Sequence, residues 1–190
     1  MSIYKRNNRL SPEYVLLGFL HDRPSHGYEL NQRLVDEFGY IWRVSQSQTY
    51  NILHRIESQG YIISNVIGQE KLPSRQLFRL TEAGSAHFNT WLETPTSCSV
   101  HAIRVEFITR LFFIHQFYPN RTQETIRLQL DEVHSGIERL QELRQDLPSD
   151  QQFNRLALDL RINLLSSIIS WLNDCRHTFV ADKPEENGQK

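Results

Sequence analysis

Apolar and polar side chains alternate with a helical period between Val44 and Ser58. Ser45 is a preferred N-cap residue, and Gln48 stands three positions later, where its side chain can cap the same turn in return. Small or apolar side chains then recur at the i, i+3, i+4 and i+7 spacing of a buried stripe, namely Thr49, Ile52, Leu53 and Ile56. The pattern predicts an amphipathic helix over residues 46–59.

The opposite face of this predicted helix is polar and almost uncharged. It carries Ser47, Tyr50, Asn51, His54 and Ser58, with Arg55 at its edge. Such side chains hydrogen-bond base edges and phosphates, so the face is a candidate for reading DNA. The alternative is an ordinary surface helix, because amphipathicity is the commonest helical pattern.

Two further helices are predicted before this one. Ser11-Pro12-Glu13 opens the first with an N-cap, a proline at the first helical position and an early carboxylate, and Tyr14–Leu20 is apolar almost all round. A second helix is predicted from Ser25 to Phe38, with Gly39 as its C′ residue. Its inward-facing side chains are expected to be Tyr28, Leu30, Leu34, Val35 and Phe38.

A hairpin and a fourth helix are predicted after it. The hairpin consists of Tyr61–Ile67, a turn-like segment Gly68–Ser74, and Arg75–Leu80. Thr81 is an N-cap for a helix that runs to about Glu93. The expected core residues of that helix are Ala83, Ala86, Phe88, Trp91 and Leu92. The order α-α-α-β-β-α is that of a winged helix-turn-helix.

The predicted hairpin tip carries two cations, Lys71 and Arg75. On a winged helix-turn-helix they would lie on the wing and pair with phosphates of the DNA backbone. A solvated turn is the alternative account of these charges.

After Pro95 the chain reads as almost pure helix, with segments predicted at Val100–Phe117, Thr122–Asp146 and Gln151–Phe179. The second segment has a near-heptad seam, which favours coiled-coil-like packing, formed by Ile126, Leu130, Val133, Ile137, Leu140, Leu143 and Leu147. The third has an apolar stripe too broad for the surface of a monomer, formed by Leu156, Leu160, Leu164, Leu165, Ile168, Ile169, Trp171, Leu172 and Cys175. We therefore expect a homodimer through the C-terminal helices. A monomeric helical cap is the alternative.

Composition sets only broad limits. Apolar residues make up 39% and charged residues 23% of 190, and the net charge is −1, so overall charge does not indicate a nucleic-acid binder. No apolar run approaches a membrane span, so we expect a cytoplasmic protein without membrane contact. Cations that could gather on one face are Lys5, Arg6, Arg9, Arg43, Arg55, Lys71, Arg75 and Arg79.

The sequence contains none of the common enzyme motifs. It has no glycine-rich phosphate loop, no H-E-x-x-H and no nucleophile elbow, and 8 glycines are few for a cofactor-binding α/β fold. The two cysteines lack C-x-x-C spacing, and the histidines have no recognised ligand spacing. We expect no catalytic residues, no metal and no cofactor.

Several motifs together resemble the PadR family of transcriptional regulators across residues 10–93. They are His26-Gly27-Tyr28-Glu29-Leu30, Trp42-Arg43-Val44-Ser45, Thr49-Tyr50, Ile56–Ile62 and Phe78-Arg79-Leu80-Thr81-Glu82-Ala83-Gly84. The sequence departs from the family at Gln46-Ser47, where a glycine or proline pair is usual, and at Asn51, where a proline is usual. These departures leave the fold intact and suggest different base preferences.

The resemblance implies where DNA would be contacted. Tyr50 would contact the DNA backbone, the start of the third helix would enter the major groove, and the wing would touch phosphate. By position the implied DNA-binding residues are Arg43, Ser47, Gln48, Tyr50, Asn51, His54, Lys71 and Arg75. The C-terminal helices are similar in pattern to the dimerisation domain of the family.

The resemblance also implies a small aromatic or lipophilic effector. Side chains available to line its pocket are Trp171, Phe112, Phe113 and Phe179. Aromatic residues packed in an ordinary core are the alternative.

The sequence thus predicts a mainly α protein in three parts: a winged helix-turn-helix domain at 1–94, a helical dimerisation and effector domain at 95–181, and a disordered tail at 182–190. The expected function is a dimeric regulator, a repressor, that reads a palindromic operator in double-stranded DNA. A winged-helix module that binds protein is the main alternative. A two-component sensor or a metal-responsive switch is more distant.

Overall fold

The computed structural model describes residues 12–69 and 72–180, with the side chains of all of these except 66–69, 72–75 and 180. Its internal contacts divide the chain into two compact units, with the boundary between Thr94 and Pro95. We refer to them as the winged unit and the helical unit. Lys5, Arg6, Arg9, Ser11, Lys71 and the predicted tail 182–190 lie outside the described residues.

Three helices build the first part of the winged unit: α1 at Glu13–Asp22, α2 at Gly27–Phe38 and α3 at Gln46–Ser58. The centre of α1 is buried on all sides from Val15 to Leu20, as its nearly continuous apolar sequence predicts. Gly60 follows α3 with a φ of 78°, the left-handed conformation that glycine adopts without steric cost. The third helix therefore ends where the sequence predicts.

The second helix ends at Phe38 as predicted, but its start and the conformation of the following Gly39 differ from the prediction. Ser25 and His26 form a two-residue strand, β1, so the helix begins at Gly27. Its C-terminal Gly39 has a φ of −59°, which is ordinary right-handed backbone and not the left-handed C′ conformation expected. Tyr28 and Val35 are about half exposed and do not face inward, whereas Leu30, Leu34 and Phe38 are buried.

Strands β2 (Ile62–Gln69) and β3 (Leu72–Leu80) form the hairpin, and the sheet order is β1-β3-β2 with antiparallel pairs. The strands continue further than predicted, into the segment Gly68–Ser74 that was expected to be the turn. The register shifts between the pairs Ile67–Arg75 and Gln69–Leu72, which places Pro73 in a bulge. A bulge tolerates proline because the ladder hydrogen bond is already interrupted there.

Helix α4 spans Glu82–Glu93 and closes the winged unit. The Thr81 hydroxyl accepts a hydrogen bond from the Gly84 amide at 3.0 Å, which confirms the predicted N-cap. Phe88, Trp91 and Leu92 are buried as expected. Ala83 and Ala86 are exposed, so their assignment to the core was wrong.

The helical unit begins with α5 (Val100–Ala102), a π-helical turn (Ile103–Phe107) and α6 (Ile108–Phe117), where the sequence predicts one uninterrupted helix. After a 3₁₀ turn at Pro119–Arg121 it continues with α7 (Thr122–Gln145) and α8 (Gln152–Val180). The predicted seam of α7 is buried through Leu140, whereas Leu143 is 57% exposed and Leu147 is half-buried.

The last helix presents two apolar faces. Leu165 and Leu172 are fully buried against the rest of the unit. Five large apolar side chains are instead exposed, at spacings of three, four, four and seven residues: Phe153, Leu156, Leu160, Leu164 and Trp171. We call these five residues the α8 stripe. At 3.6 residues per turn they lie along one side of the helix.

Candidate nucleic-acid interface

The N-terminus of α3 is fixed by a reciprocal capping box. The Gln48 amide donates to the Ser45 hydroxyl at 3.3 Å, and the Ser45 amide donates to Oε1 of Gln48 at 2.9 Å. These bonds satisfy two backbone donors that would otherwise lack partners at the helix end. They also occupy the amide oxygen of Gln48, so its Nε2 is the group that remains to contact a base.

The buried stripe of α3 sets the direction of the opposite face. Thr49, Ile52, Leu53 and Ile56 are all buried, as their spacing predicts. The Thr49 hydroxyl donates to Oδ1 of Asn31 on α2 at 2.9 Å, so the two helices are joined by a specific hydrogen bond as well as by apolar packing. A helix held in this way cannot rotate about its axis without exposing the stripe.

The outward face of α3 presents uncharged hydrogen-bonding groups at its N-terminal half. Ser47 and Asn51 are exposed, and neither side chain has a hydrogen-bond partner among the described residues. His54, one turn further on, is 61% exposed and lies 3.9 Å from Glu57. Exposed amide and hydroxyl groups at the start of a helix are suited to base edges in a major groove.

Tyr50 is partly buried at the side of α3, and its ring lies close to Gly27. We call this contact, in which Gly27 leaves room for the ring, the seat of Tyr50. A Cβ atom at Gly27 would stand 2.8 Å from Cε1 and 3.1 Å from the hydroxyl oxygen of Tyr50. Only a residue without a side chain leaves room for the ring in this position. The sequence contains Gly27 within a family motif, but its partner is 23 positions away, so no local pattern reveals this contact.

Substituting Gly27 tests the seat. We expect Gly27→Ala to displace the Tyr50 ring and to weaken binding to every duplex by about 3- to 10-fold, about 1 kcal/mol, since a contact to the DNA backbone is shared by all sequences. Fluorescence anisotropy in the wild-type and Tyr50→Ala backgrounds measures this in a double-mutant cycle. A Gly27→Ala effect of equal size in both backgrounds would show that the glycine acts independently of Tyr50.

The cations predicted to gather on this side have different environments. Arg43 and Arg79 are exposed and have no ion-pair partner among the described residues. Arg55 donates to Glu13 on α1 at 2.6 Å, so this guanidinium serves the packing of α3 on α1. Arg75 lies on β3 opposite Ile67, and Lys71 lies outside the described residues. Among the cations predicted to gather on this side whose side chains the structure describes, Arg43 before α3 and Arg79 on β3 are therefore the two without an ion-pair partner.

The N-terminus of α2 is also capped, by the side chain of Glu29. The His26 amide donates to Glu29 at 2.8 Å, and Nδ1 of His26 lies 3.0 Å from the carbonyl oxygen of Gln76 on β3. The hydrogen bond from the His26 amide lowers the pKa of the Glu29 carboxyl. The strand β1 thus connects the wing to the helix that carries the seat of Tyr50.

The aromatic residues proposed for an effector pocket separate into two groups. Trp171 lines a cavity of the helical unit. Phe112 and Phe113 pack edge to face on each other with centroids 5.1 Å apart, Phe113 stacks on Phe117, and Phe179 packs on His115. The cavity beside Trp171 is lined by α5, the π-helical turn, the start of α6 and α8.

Groups associated with catalysis are sparse in the described part of the chain. Among residues 12–69 and 72–180, no cluster of three or more His, Cys, Asp or Glu side chains is arranged to hold a metal ion. Burial raises the pKa of the Cys98 and Cys175 thiols, which disfavours the nucleophilic thiolate. Within the same residues, none of the helices is long and apolar enough to cross a membrane.

Two family models match the sequence, one in each unit. Residues 16–90 match the PadR-like family of transcriptional regulators, and residues 103–179 match the family described as the C-terminal domain of virulence activator alpha. The first match contains the capping box, the seat of Tyr50 and the wing. The second contains the π-helical turn and most of α8.

Individual relatives are distant in sequence. The negative transcriptional regulator PadR of Bacillus subtilis is 22% identical over 129 residues, which are 68% of this chain and 70% of that protein. A protein of Mycobacterium tuberculosis described as a probable transcriptional regulator is 26% identical over 84 residues, and the match spans 44% of each chain.

Two solved structures overlap with most of the chain. Bacillus subtilis PadR in complex with operator DNA covers 88% of this chain and 98% of its own at 22% identity, with a TM-score of 0.42. The Vibrio cholerae virulence activator AphA covers 91% and 100% at 21% identity, with a TM-score of 0.40. Both structures are distant from this chain in sequence and in overall superposition.

Proposed function

We propose that this chain is a dimeric DNA-binding regulator, because residues 16–90 match the PadR-like family of transcriptional regulators. In this proposal α3 enters the major groove of a palindromic operator, and the wing contacts the flanking phosphates. The observation that carries it is the outward face of α3, where Ser47 and Asn51 are exposed and without partners in the described structure.

The first turn and a half of α3 would supply the base contacts. Asn51 offers an amide that can form two hydrogen bonds with an adenine edge, and Ser47 and the Nε2 of Gln48 can reach neighbouring bases. Tyr50, placed by Gly27 at the side of the helix, is suited to a backbone phosphate. His54 lies one turn further along and would meet the far side of the groove.

The wing and the segment before α3 would supply sequence-independent contacts. Arg75 and Lys71 belong to the hairpin end, and Arg43 precedes α3 by three residues. Each cation that neutralises a phosphate releases a condensed counterion, so affinity falls as salt concentration rises. Such contacts set the position of the protein on the duplex and leave sequence choice to α3.

A homodimer through the helical unit is supported by the α8 stripe. Phe153 is 87% exposed, Leu156 63% and Leu160 61%, which is unfavourable for apolar side chains in water. A second copy of the same helix, related by a two-fold axis, would cover the stripe with an identical surface. Two recognition helices related by that axis would read half-sites about 34 Å apart, or a multiple of it.

The remaining parts of the proposal follow from DNA binding. Occupancy of an operator near a promoter blocks transcription, so we propose repression, controlled by a small effector at the helical unit. We propose a cytoplasmic location, because such a regulator has to reach chromosomal DNA. Deleting the gene for this protein should raise the expression of a reporter fused to a promoter that carries the operator.

Two kinds of substitution distinguish the proposed roles. We expect Arg75→Ala and Lys71→Ala each to weaken binding to all duplexes by a similar factor and to reduce the salt slope by about 1. Asn51→Ala should instead cost about 1–3 kcal/mol on the operator alone and change which bases are selected. Anisotropy titrations against the operator and an unrelated duplex measure both effects.

Arg139→Ala, which removes the same charge from the helical unit, is the control for the wing substitutions. If Arg75→Ala and Lys71→Ala behave like this control, the wing does not contact phosphate. If Asn51→Ala weakens all duplexes equally, Asn51 is not a base-reading residue.

A further inference from the structure

Asn31 of α2 is a polar partner of α3 on the buried side of that helix. Its Oδ1 accepts a hydrogen bond from the Thr49 hydroxyl at 2.9 Å, and Thr49 is fully buried. Asn31 itself is half-buried and directly follows Leu30, which is fully buried in the core. The bond therefore lies within the packed contact of the two helices, on the side of α3 away from its exposed face.

The Thr49 hydroxyl has a second acceptor within reach. It lies 3.3 Å from the carbonyl oxygen of Ser45, one turn earlier in α3, and that oxygen also accepts from the Thr49 amide at 2.9 Å. Threonine hydroxyls in helices often bond the carbonyl four residues earlier. Without Asn31 the hydroxyl would still be satisfied inside α3, so no buried donor would be left without a partner. The bond to Asn31 thus contributes more to the orientation of α3 than to stability.

Apolar packing and a hydrogen bond constrain a helix differently. Burial of an apolar stripe is non-directional, and a stripe about 100° wide stays buried when the helix rotates by about 10°. The same rotation moves a side-chain end that lies about 6 Å from the helix axis by about 1 Å. Contacts to a ligand require their groups within about 0.5 Å of the productive position, so this rotation is enough to break them. A directional hydrogen bond between the helices restricts it.

The bond lies beside the candidate base contacts. Thr49 is two positions before Asn51 and directly precedes Tyr50, whose ring packs against Gly27. Gly27 and Asn31 are one turn apart on α2, so two successive points of α2 contact two consecutive residues of α3. Together these contacts fix the turn of α3 from which Asn51 projects.

We infer that Asn31 is a positioning residue for operator selectivity: by accepting from Thr49, it sets the rotation of α3 about its axis and thereby the position of Asn51 against the bases. Contacts to phosphate come from long, flexible cations and supply the sequence-independent part of the affinity. Asn31 therefore governs how strongly the protein discriminates between duplexes, and not how tightly it binds an arbitrary one. The inference rests on the proposed function, because selectivity requires that α3 reads DNA.

The test compares a selected duplex with an unselected one. The full-length wild type first enriches duplexes from a library of random sequences, and anisotropy then gives the ratio of its affinities for the most enriched duplex and for an unselected duplex of equal length. Asn31→Ala should lower this ratio by about 10-fold or more, the effect of losing one good base contact. Its affinity for the unselected duplex should stay within about twofold of the wild type.

Further variants separate the hydrogen bond from the loss of side-chain volume. Thr49→Val removes the hydroxyl at nearly constant shape and should lower the ratio as Asn31→Ala does, and the double variant should show no further loss. Asn31→Asp and Thr49→Ser keep the acceptor and the donor, and each should keep the ratio within about threefold of the wild type. Gln32→Ala is the matched control, because it removes a hydrogen-bonded amide from the exposed side of the same helix, and it should leave the ratio unchanged.

A ratio for Asn31→Ala equal to that of the wild type would overturn the inference, as would additive losses from Asn31→Ala and Thr49→Val. A fall in Tm of more than about 8 °C, with equal loss of affinity for both duplexes, would also overturn it, because Asn31 would then serve the fold alone. If the wild type enriches no sequence, the proposed function fails and the inference with it. That result is seen before any variant is made, so the two failures are distinguishable.

Discussion

Replacing Leu160 and Leu164 together with glutamate is expected to convert the protein to a monomer and to weaken operator binding by about two orders of magnitude. Both side chains belong to the α8 stripe and are 61% and 43% exposed in one chain, so the substitutions do not disturb the core of the helical unit. In a dimer they would place four like charges in an apolar interface without partners, which costs several kcal/mol. A single recognition helix then loses the contacts of the second half-site.

The control for this pair is Ser166→Glu, on the same helix but away from the stripe. Sedimentation equilibrium measures the oligomeric state, and anisotropy with the palindromic operator measures the affinity. A double variant that remains dimeric would show that the stripe is not the interface. A monomer that still binds the operator as tightly as the wild type would show that tight binding does not require two recognition helices.

The second large effect is expected from Gly84→Ala, which should lower the stability of the winged unit by about 2–3 kcal/mol. A Cβ atom at Gly84 would stand 2.0 Å from the carbonyl oxygen and 2.8 Å from the carbonyl carbon of Tyr61. Because both are backbone atoms at the start of the hairpin, α4 and β2 must move apart. At an exposed helical position the same substitution would raise the free energy of unfolding by about 1 kcal/mol. At Gly84 we expect it to lower the free energy of unfolding instead.

Thermal unfolding followed by circular dichroism measures this effect. For a unit of this size each kcal/mol lowers Tm by about 4–8 °C, so a shift of about 10 °C or more is expected. Ser85→Ala, at the neighbouring position of α4, is the control and should change Tm by a few degrees at most. A Tm for Gly84→Ala at or above that of the wild type would refute the close approach of α4 to Tyr61.

The sequence predicted α3 because the determinants of that helix are local. The capping pair Ser45 and Gln48 lies within four residues, and the buried stripe repeats with the period of the helix itself. The same holds for the N-cap Thr81 and for the order of the elements. A family resemblance added roles for Tyr50 and the wing, which spacing alone does not supply.

The features that the sequence did not predict depend on distant partners. Strand β1 exists because Ser25 and His26 pair with Phe78 and Leu77, more than 50 positions away. Tyr28 and Val35 are apolar or aromatic residues at plausible core spacing, yet each is about half exposed in the described part of the winged unit. The cavity of the helical unit is lined by residues of α8 and of the segment from α5 to α6, which are distant in sequence, and the π-helical turn interrupts a segment whose apolar pattern predicts a plain α-helix.

The most direct test of the account is the salt dependence of DNA affinity, measured by fluorescence anisotropy with a duplex from upstream of the gene and an unrelated duplex of equal length. The account predicts tight binding to the upstream duplex, at least 10³-fold weaker binding to the unrelated one, and affinity for both that falls steeply between low and physiological salt. Weak, equal and salt-insensitive binding to both duplexes, and to fragments selected from the whole genome, would contradict it and favour a winged-helix module that binds protein.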